Sequence, residues 1–164
     1  MEHLEIERKF LIRMPDAALL SRLPFSEIEQ VYILSPEGER ERIRRRVYGD
    51  RVDCTHTVKT RLNDRKRIER EEEISEERYC ELLSKADPSR VPVRKKRLIY
   101  EYDGQPFEID LFPFWDDRAL MELELSDEEQ MLRFPPGIEI VREVTSEKRY
   151  LNSAIAREIP REQI

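Results

Sequence analysis

The stretch EIERKFL, Glu5-Ile6-Glu7-Arg8-Lys9-Phe10-Leu11, decides how the chain is read. As a strand it turns Glu5, Glu7 and Lys9 to one side, because successive side chains alternate between the two faces. Leu4, Ile6, Phe10 and Ile12 then fall on the other side. A half-buried strand with one charged face is ordinary in an antiparallel sheet. What matters is whether that charged face meets bulk water or an interior.

The same alternation recurs along the chain. Arg40, Arg42, Arg44 and Arg46 share a face, as do Thr55, Thr57 and Lys59. Glu69, Glu71 and Glu73 follow, then Lys95 with Arg97, Glu108 with Asp110, and Glu122 with Glu124. The opposite faces carry Ile68 and Ile74, Leu98 and Tyr100, Phe107, Ile109 and Leu111, and Met121, Leu123 and Leu125. Side chains two apart on a strand lie roughly 6–7 Å from each other. Paired carboxylates repel unless a cation sits between them, and paired arginines or lysines repel unless an anion does. Wet sheet faces mix threonine, serine, glutamine and single charges, so acidic pairs on some strands and basic pairs on others call for both a metal and a polyanion. If the sheet curls with this face inside, the charges line a wet channel and the apolar face meets covering helices. A dry lumen is excluded, because an unpaired buried charge costs several kcal/mol.

Charge counting supports such a channel. Lys9, Arg42, Arg44, Lys59, Lys95 and Arg97 contribute +6, and Glu5, Glu7, Glu71, Glu73, Glu108, Asp110, Glu122 and Glu124 contribute -8. Two divalent ions would turn the remaining -2 to about +2, close to balance with a triphosphate of roughly four to five negative charges.

Composition bounds the rest. The 164 residues suffice for one domain with a real core, spanning 1–164. Charged residues make up 40% and the hydrophobic set 38%, with a net charge of -6. An acidic chain lacks a broad basic footprint, so the run RERIRRR is not read as a nucleic-acid site. No apolar run approaches the roughly 20 residues that span a bilayer. MEHLEIERK lacks the apolar core of a signal peptide, and the expected location is the cytoplasm. Cys54 and Cys80 form no disulfide framework and no metal-ligand spacing. With only His3 and His56 as imidazoles, any metal must be held mainly by carboxylates, which points to a hard ion such as Mg²⁺ or Mn²⁺.

Strands are predicted near 3–12, 29–34, 39–48, 54–60, 67–74, 93–102, 106–112, 119–125 and 138–144. Asp103-Gly104 is a hairpin turn between two of them. Helices are predicted near 15–22, 75–86, 126–134 and 146–158, with Ser75 capping the second and Ser126 to Glu129 a capping box for the third. The predicted architecture is α+β: an antiparallel sheet that curls into an eight-stranded barrel with a charged lumen and helices outside.

The ordered series Glu5-x-Glu7-x-Lys9, Arg42-x-Arg44, Thr57-x-Lys59, Glu71-x-Glu73, Lys95-x-Arg97, Glu108-x-Asp110 and Glu122-x-Glu124 resembles the CYTH domain, the triphosphate tunnel metalloenzyme family. The closing EVTSEKRYLNSAIA, with Lys148, Tyr150 and Asn152, resembles the family's end segment, and Tyr32 matches a position near the tunnel. The resemblance covers essentially the whole chain and is closest to short bacterial inorganic tripolyphosphatases. It implies an eight-stranded tunnel that binds a triphosphate, whether tripolyphosphate, ATP or thiamine triphosphate, with Mg²⁺ or Mn²⁺. On this footing Lys9, Arg42, Arg44, Lys59, Lys95, Arg97 and Lys148 are expected to bind substrate. Glu5, Glu7, Glu122, Glu124 and Asp110 are expected to hold metal, and Glu7, Lys9, Glu73 and Lys95 to act in catalysis. An adenylate cyclase and a non-catalytic binder of polyphosphate or nucleotide are the alternatives, and monomer or homodimer is left open.

Overall fold

The computed structural model describes residues 2–164. Among the described residues nine strands form: β1 (Glu2–Arg13), β2 (Phe25–Ile33), β3 (Glu39–Tyr48), β4 (Arg51–Arg61), β5 (Lys66–Ile74), β6 (Val93–Tyr102), β7 (Gln105–Leu111), β8 (Arg118–Glu124) and β9 (Ile140–Glu143). They hydrogen-bond in the order β5-β4-β3-β2-β6-β7-β8-β1-β9. β1 also pairs with β5, which closes eight antiparallel strands into a barrel, the predicted tunnel. β1 can serve both neighbours because its first half, Glu2 to Ile6, pairs with β5 while Glu7 to Arg13 pair with β8. β9 adds alongside Phe10 to Ile12.

The period-two pattern sorts the faces as the sequence demands. Outside the barrel, Ile6, Phe10, Ile12, Leu98, Phe107, Ile109, Met121 and Leu123 make one apolar layer. Leu20, Leu23, Leu132, Ile138 and Ile140 cover it. A second outer layer, Val31, Ile43 and Cys54, is covered by Tyr79 and Leu82 of α2 (Glu76–Leu82). The Ser75 hydroxyl caps α2 by accepting from the Arg78 amide, as predicted. Asp103 and Gly104 make the β6–β7 hairpin with φ of 53° and 71°, the left-handed pair such a turn requires.

Helices are shorter than predicted. The first, α1, spans only Ala17–Leu20. No helix forms over 126–134. There the Gln130 side chain accepts from both the amide and hydroxyl of Ser126, a local turn that competes with helix, and Pro135-Pro136 follow. Phe134 leaves that segment to pack edge-on against Phe10, ring centroids 5.0 Å apart. The predicted helix near 146–158 resolves into a 3₁₀ turn, Lys148–Tyr150, and α3 (Asn152–Ile155). This C-terminal segment packs into the end of the barrel, where Tyr150, Ile155 and Ala156 meet Leu11, Tyr32, Val93 and Leu120. Among the described residues no helix is long and apolar enough to cross a membrane.

Candidate active site: a charged tunnel

The barrel encloses a cavity of about 580 Å³. At roughly 30 Å³ per water-sized group, that is room for a triphosphate with ions and water. Of the residues predicted to face it, Glu5, Glu7, Lys9, Arg42, Arg44, Lys59, Glu71, Lys95, Arg97, Glu108, Glu122 and Glu124 do line it, with Tyr32 and Asn152. Arg40, Arg46 and Glu69, read on the same charged faces but left out of the charge count, line it too, and Arg61, Arg67, His3 and Glu37 join them. Ten lysines and arginines against eight glutamates therefore line the walls, so the cavity is basic rather than acidic, reversing the sign expected from sequence. Arg67 is the instructive omission. It shares the period-two face with Glu69 and Glu71, but the glutamate run after it draws the eye.

Three expected residues stand elsewhere. Glu73 keeps the right parity but sits at the exposed end of β5 and does not line the cavity. Lys148 is exposed on the 3₁₀ turn, and the neighbouring Leu151, Asn152 and Ser153 line the cavity instead. Asp110 shares the inward face with Arg97, directly across the ladder, but is 1% exposed and committed to two cations instead of lining the cavity. It accepts from Lys95 Nζ at 2.7 Å and from Arg97 Nε and Nη2 at 2.8 and 2.9 Å.

That arrangement fixes the local electrostatics. Burial favours the neutral carboxylic acid, yet Arg97 and Lys95 overcome it and hold Asp110 well below the usual carboxylate range. Arg97 takes the carboxylate in a two-pronged grip and also meets Glu108 at 2.5 Å, so burial is outweighed and its value rises. Lys95 is the surplus cation: burial, with Arg97 beside it, brings its value down to about 7 despite Asp110. Arg44 is pulled to about 10 by burial and by the facing Arg42 and Arg97. Among the described residues Arg42 has only Gln30 Oε1 as a side-chain hydrogen-bond partner, at 3.3 Å, and its buried Nε has none. Burial and Arg42 work against the charge on Lys59, but Glu5, Glu7 and Glu69 hold its value up. The β3 wall thus sets Arg42 and Arg44, both half-buried, side by side, with Glu71 3.7 Å from Arg44 as a counter-charge.

The opposite wall is its complement. Glu7 stands directly across the ladder from Glu124, and Glu108 across from Glu122. Such neighbours have Cβ atoms about 4.5–5.5 Å apart and repel when both are charged. Burial, with Glu5 nearby, raises Glu124, and burial raises Glu108. Lys9 meets Glu122 at 3.1 Å, Arg67 meets Glu7 at 2.6 Å and Lys59 meets Glu5 at 2.9 Å. Among the described residues no three acidic, imidazole or thiol groups already converge on one point as a cation site. The donor chemistry nevertheless fits a hard divalent ion, since facing carboxylates are what such an ion binds. Lys9 Nζ also donates to the Tyr150 carbonyl at 3.1 Å, and Lys95 Nζ lies 3.4 Å from Asn152 Oδ1. The C-terminal segment is therefore part of the site.

Comparison with known proteins agrees with this geometry. No family model matches the chain. An inorganic triphosphatase of Nitrosomonas europaea is 34% identical over 158 residues, covering 95% of this chain and 99% of that protein. The crystal structure of an inorganic triphosphatase superposes with a TM-score of 0.59 at 31% identity, over 95% of this chain and 96% of the other. A Pyrococcus horikoshii protein, at 24% identity and a TM-score of 0.56, covers 75% of this chain and 80% of its own, and shares the fold. A Hippeastrum protein studied as an adenylyl cyclase candidate and described as having a dominant triphosphatase activity is 17% identical, with a TM-score of 0.51. It covers 74% of this chain and 80% of its own, and at that distance it too speaks for the fold alone.

Proposed function

The chain belongs to the inorganic triphosphatases of the CYTH, or triphosphate tunnel metalloenzyme, family, and from that premise we propose that it hydrolyses inorganic tripolyphosphate inside its tunnel, residues 1–164 working as one unit. The observation that carries this reading is the gathering of half-buried Arg42 and Arg44 with the buried Arg97 on one side of the cavity, across from carboxylates that face one another in pairs. A linear polyanion relieves the first wall and a cation the second.

In this reading Arg42, Arg44, Lys59, Arg97 and Lys9 grip the phosphate oxygens, where charge-assisted hydrogen bonds are strongest. Glu5, Glu7, Glu122 and Glu124 hold Mg²⁺ or Mn²⁺, consistent with the family's general dependence on a metal. Such an ion neutralises charge on the phosphates and lowers the pKa of a bound water. Phosphoryl transfer then needs mostly positioning and charge stabilisation. Water attacks a terminal phosphorus, the bond to the bridging oxygen breaks, and orthophosphate and pyrophosphate leave. Lys95, drawn down by burial and held by Asp110, acts in catalysis from the cavity wall beside the phosphate grip. Asp110 holds Lys95 and Arg97 in position instead of taking the metal, and Glu73 and Lys148 act outside the contact shell of the substrate.

The test is phosphate release from tripolyphosphate, ATP and thiamine triphosphate with Mg²⁺, Mn²⁺ or EDTA, with cyclic AMP assayed in the ATP arm. Metal-dependent release that is fastest on tripolyphosphate is expected. Equal release with and without metal, or cyclic AMP as the product, removes the reading.

A further inference from the structure

The inward face of β2 runs between two basic walls and carries no charge of its own. Across the β2–β3 ladder Ile28 faces Arg46, Gln30 faces Arg44 and Tyr32 faces Arg42. Across the β2–β6 ladder Ser26 faces Arg97 and Ile28 faces Lys95. All of these cations line the cavity, so Ser26, Ile28, Gln30 and Tyr32 turn the same way. The acids of this strand, Glu27 and Glu29, alternate to the outside, where Glu29 accepts from the Tyr79 hydroxyl and meets Arg94 at 3.0 Å. Elsewhere in the tunnel a cation is held by a carboxylate: Lys9 by Glu122, Lys59 by Glu5, Arg67 by Glu7 and Arg97 by Asp110. Beside β2 the holders are neutral. Gln30 Oε1 accepts from Arg42 Nη1 at 3.3 Å, and Ser26 Oγ accepts from Arg46 Nε at 2.8 Å. Both holders are buried, and among the described residues Arg42 and Arg46 make no ion pair.

For folding alone a carboxylate would suit position 30 better. It would offset the charges of Arg42 and Arg44, and it would replace an amide whose Nε2 is buried without a partner among the described residues. It would also neutralise guanidinium charge that phosphate oxygens need, because hydrogen bonds to ionised partners are the strong ones. We propose that Gln30 is a positioning residue for the substrate: its carboxamide holds the Arg42 guanidinium in the cavity wall while leaving that charge free for phosphate, as Ser26 does for Arg46. The inference rests on the tripolyphosphate reading above and deepens it by naming the buried neutral residues that keep the grip cationic.

The experiment compares Gln30→Glu and Gln30→Met with the wild type in three measurements on the full chain: tripolyphosphate turnover with Mg²⁺, calorimetric titration with sodium tripolyphosphate, and urea unfolding without ligand. Gln30→Glu keeps the size of the side chain and adds the charge. It is expected to weaken tripolyphosphate about tenfold, the scale of one hydrogen bond to a charged group, while its urea midpoint stays at or above that of the wild type. Gln30→Met removes the acceptor without adding charge and is expected to weaken binding less than Gln30→Glu does. In both variants KM should rise with kcat held within about twofold, the mark of lost binding instead of lost chemistry. Gln163→Glu, the same charge change at an exposed position, should leave KM in place. A Gln30 that served packing alone would give the reverse order, with Gln30→Glu unstable and Gln30→Met tolerated. The inference falls if Gln30→Glu matches the KM of the wild type, if it unfolds at lower urea or does not fold, if Gln30→Met is the weaker binder of the two, or if Gln163→Glu raises KM as much. A wild type that hydrolyses tripolyphosphate while Gln30→Glu matches it keeps the function and loses the positioning role. A wild type that neither binds nor hydrolyses it loses both.

Discussion

Asp110 shows how one residue sets the character of a wall. A single buried carboxylate serves two buried cations, and the guanidinium geometry of Arg97 takes the larger share. Removing it should be costly, because the loss of one partner of a buried ionic cluster leaves uncompensated charge worth about 3–5 kcal/mol. Asp110→Asn is accordingly expected to lower the unfolding free energy in urea by about 3 kcal/mol, and a loss under about 1 kcal/mol would show that the cluster carries little. Lys95 supplies a pH signature. Its folded value of about 7 lies below the unfolded lysine value of about 10.4, so between these the unfolded chain binds more protons and stability rises with pH. Urea titrations of the ligand-free protein from pH 7 to pH 9.5 should show that rise, and Lys95→Met should flatten it. An identical slope in the variant would assign the effect to other groups. At the chemistry, Glu7→Ala and Lys9→Ala are each expected to cut tripolyphosphate turnover by about 100-fold or more, the scale for losing one group that stabilises developing charge. A cooperative melting curve is the control for folding, and full activity in both would show that β1 is not at the reaction.

At the scale of elements, the strands and the helix after Ser75 were legible and the other helices were not. Alternation of Glu5, Glu7 and Lys9 with Ile6 and Phe10 is a local signal, and β1, β3, β5 and β6 start and stop close to where it places them. Asp103-Gly104 is equally local, since only a turn with two positive φ values suits that pair between two strands. The failure over 126–134 has a physical origin. The Ser126–Glu129 spacing suits a capping box, but Gln130 competes for the same Ser126 groups, and the ring of Phe134 packs edge-on against Phe10. Such packing lies outside any local pattern. Where the cap did form, its contribution is measurable: Ser75→Ala removes the acceptor of the Arg78 amide and should cost about 1 kcal/mol in urea unfolding. No change would mean that α2 is held by Tyr79 and Leu82 alone.

For the whole molecule, the question raised by EIERKFL is one of curvature. Which strands pair is non-local information: β2 beside β6 and β1 beside β5 join residues about sixty or more apart, and no spacing in the sequence states it. The inward turn was nevertheless inferable, because like charges in pairs on successive strands have no stable home on a dry or a merely wet face. The sign of the lumen was not. Arg61 and Arg67 sit on strands where a neighbouring motif had already been assigned the inward role, Arg40 and Arg46 were read on the face of Arg42 but left out of the count, and Glu73 falls past the end of the cavity though its parity is right. The corrected tally makes the tunnel attractive to a polyanion even before a metal enters. The measurement that tests this most directly is a crystal structure of the protein soaked with tripolyphosphate and Mn²⁺, the metal located by anomalous scattering. The account predicts phosphate density against Arg42, Arg44 and Arg97 and an anomalous peak between the phosphates and Glu5, Glu7, Glu122 and Glu124. Phosphate and manganese bound only on the outer face of the barrel, with the lumen holding neither, would contradict it.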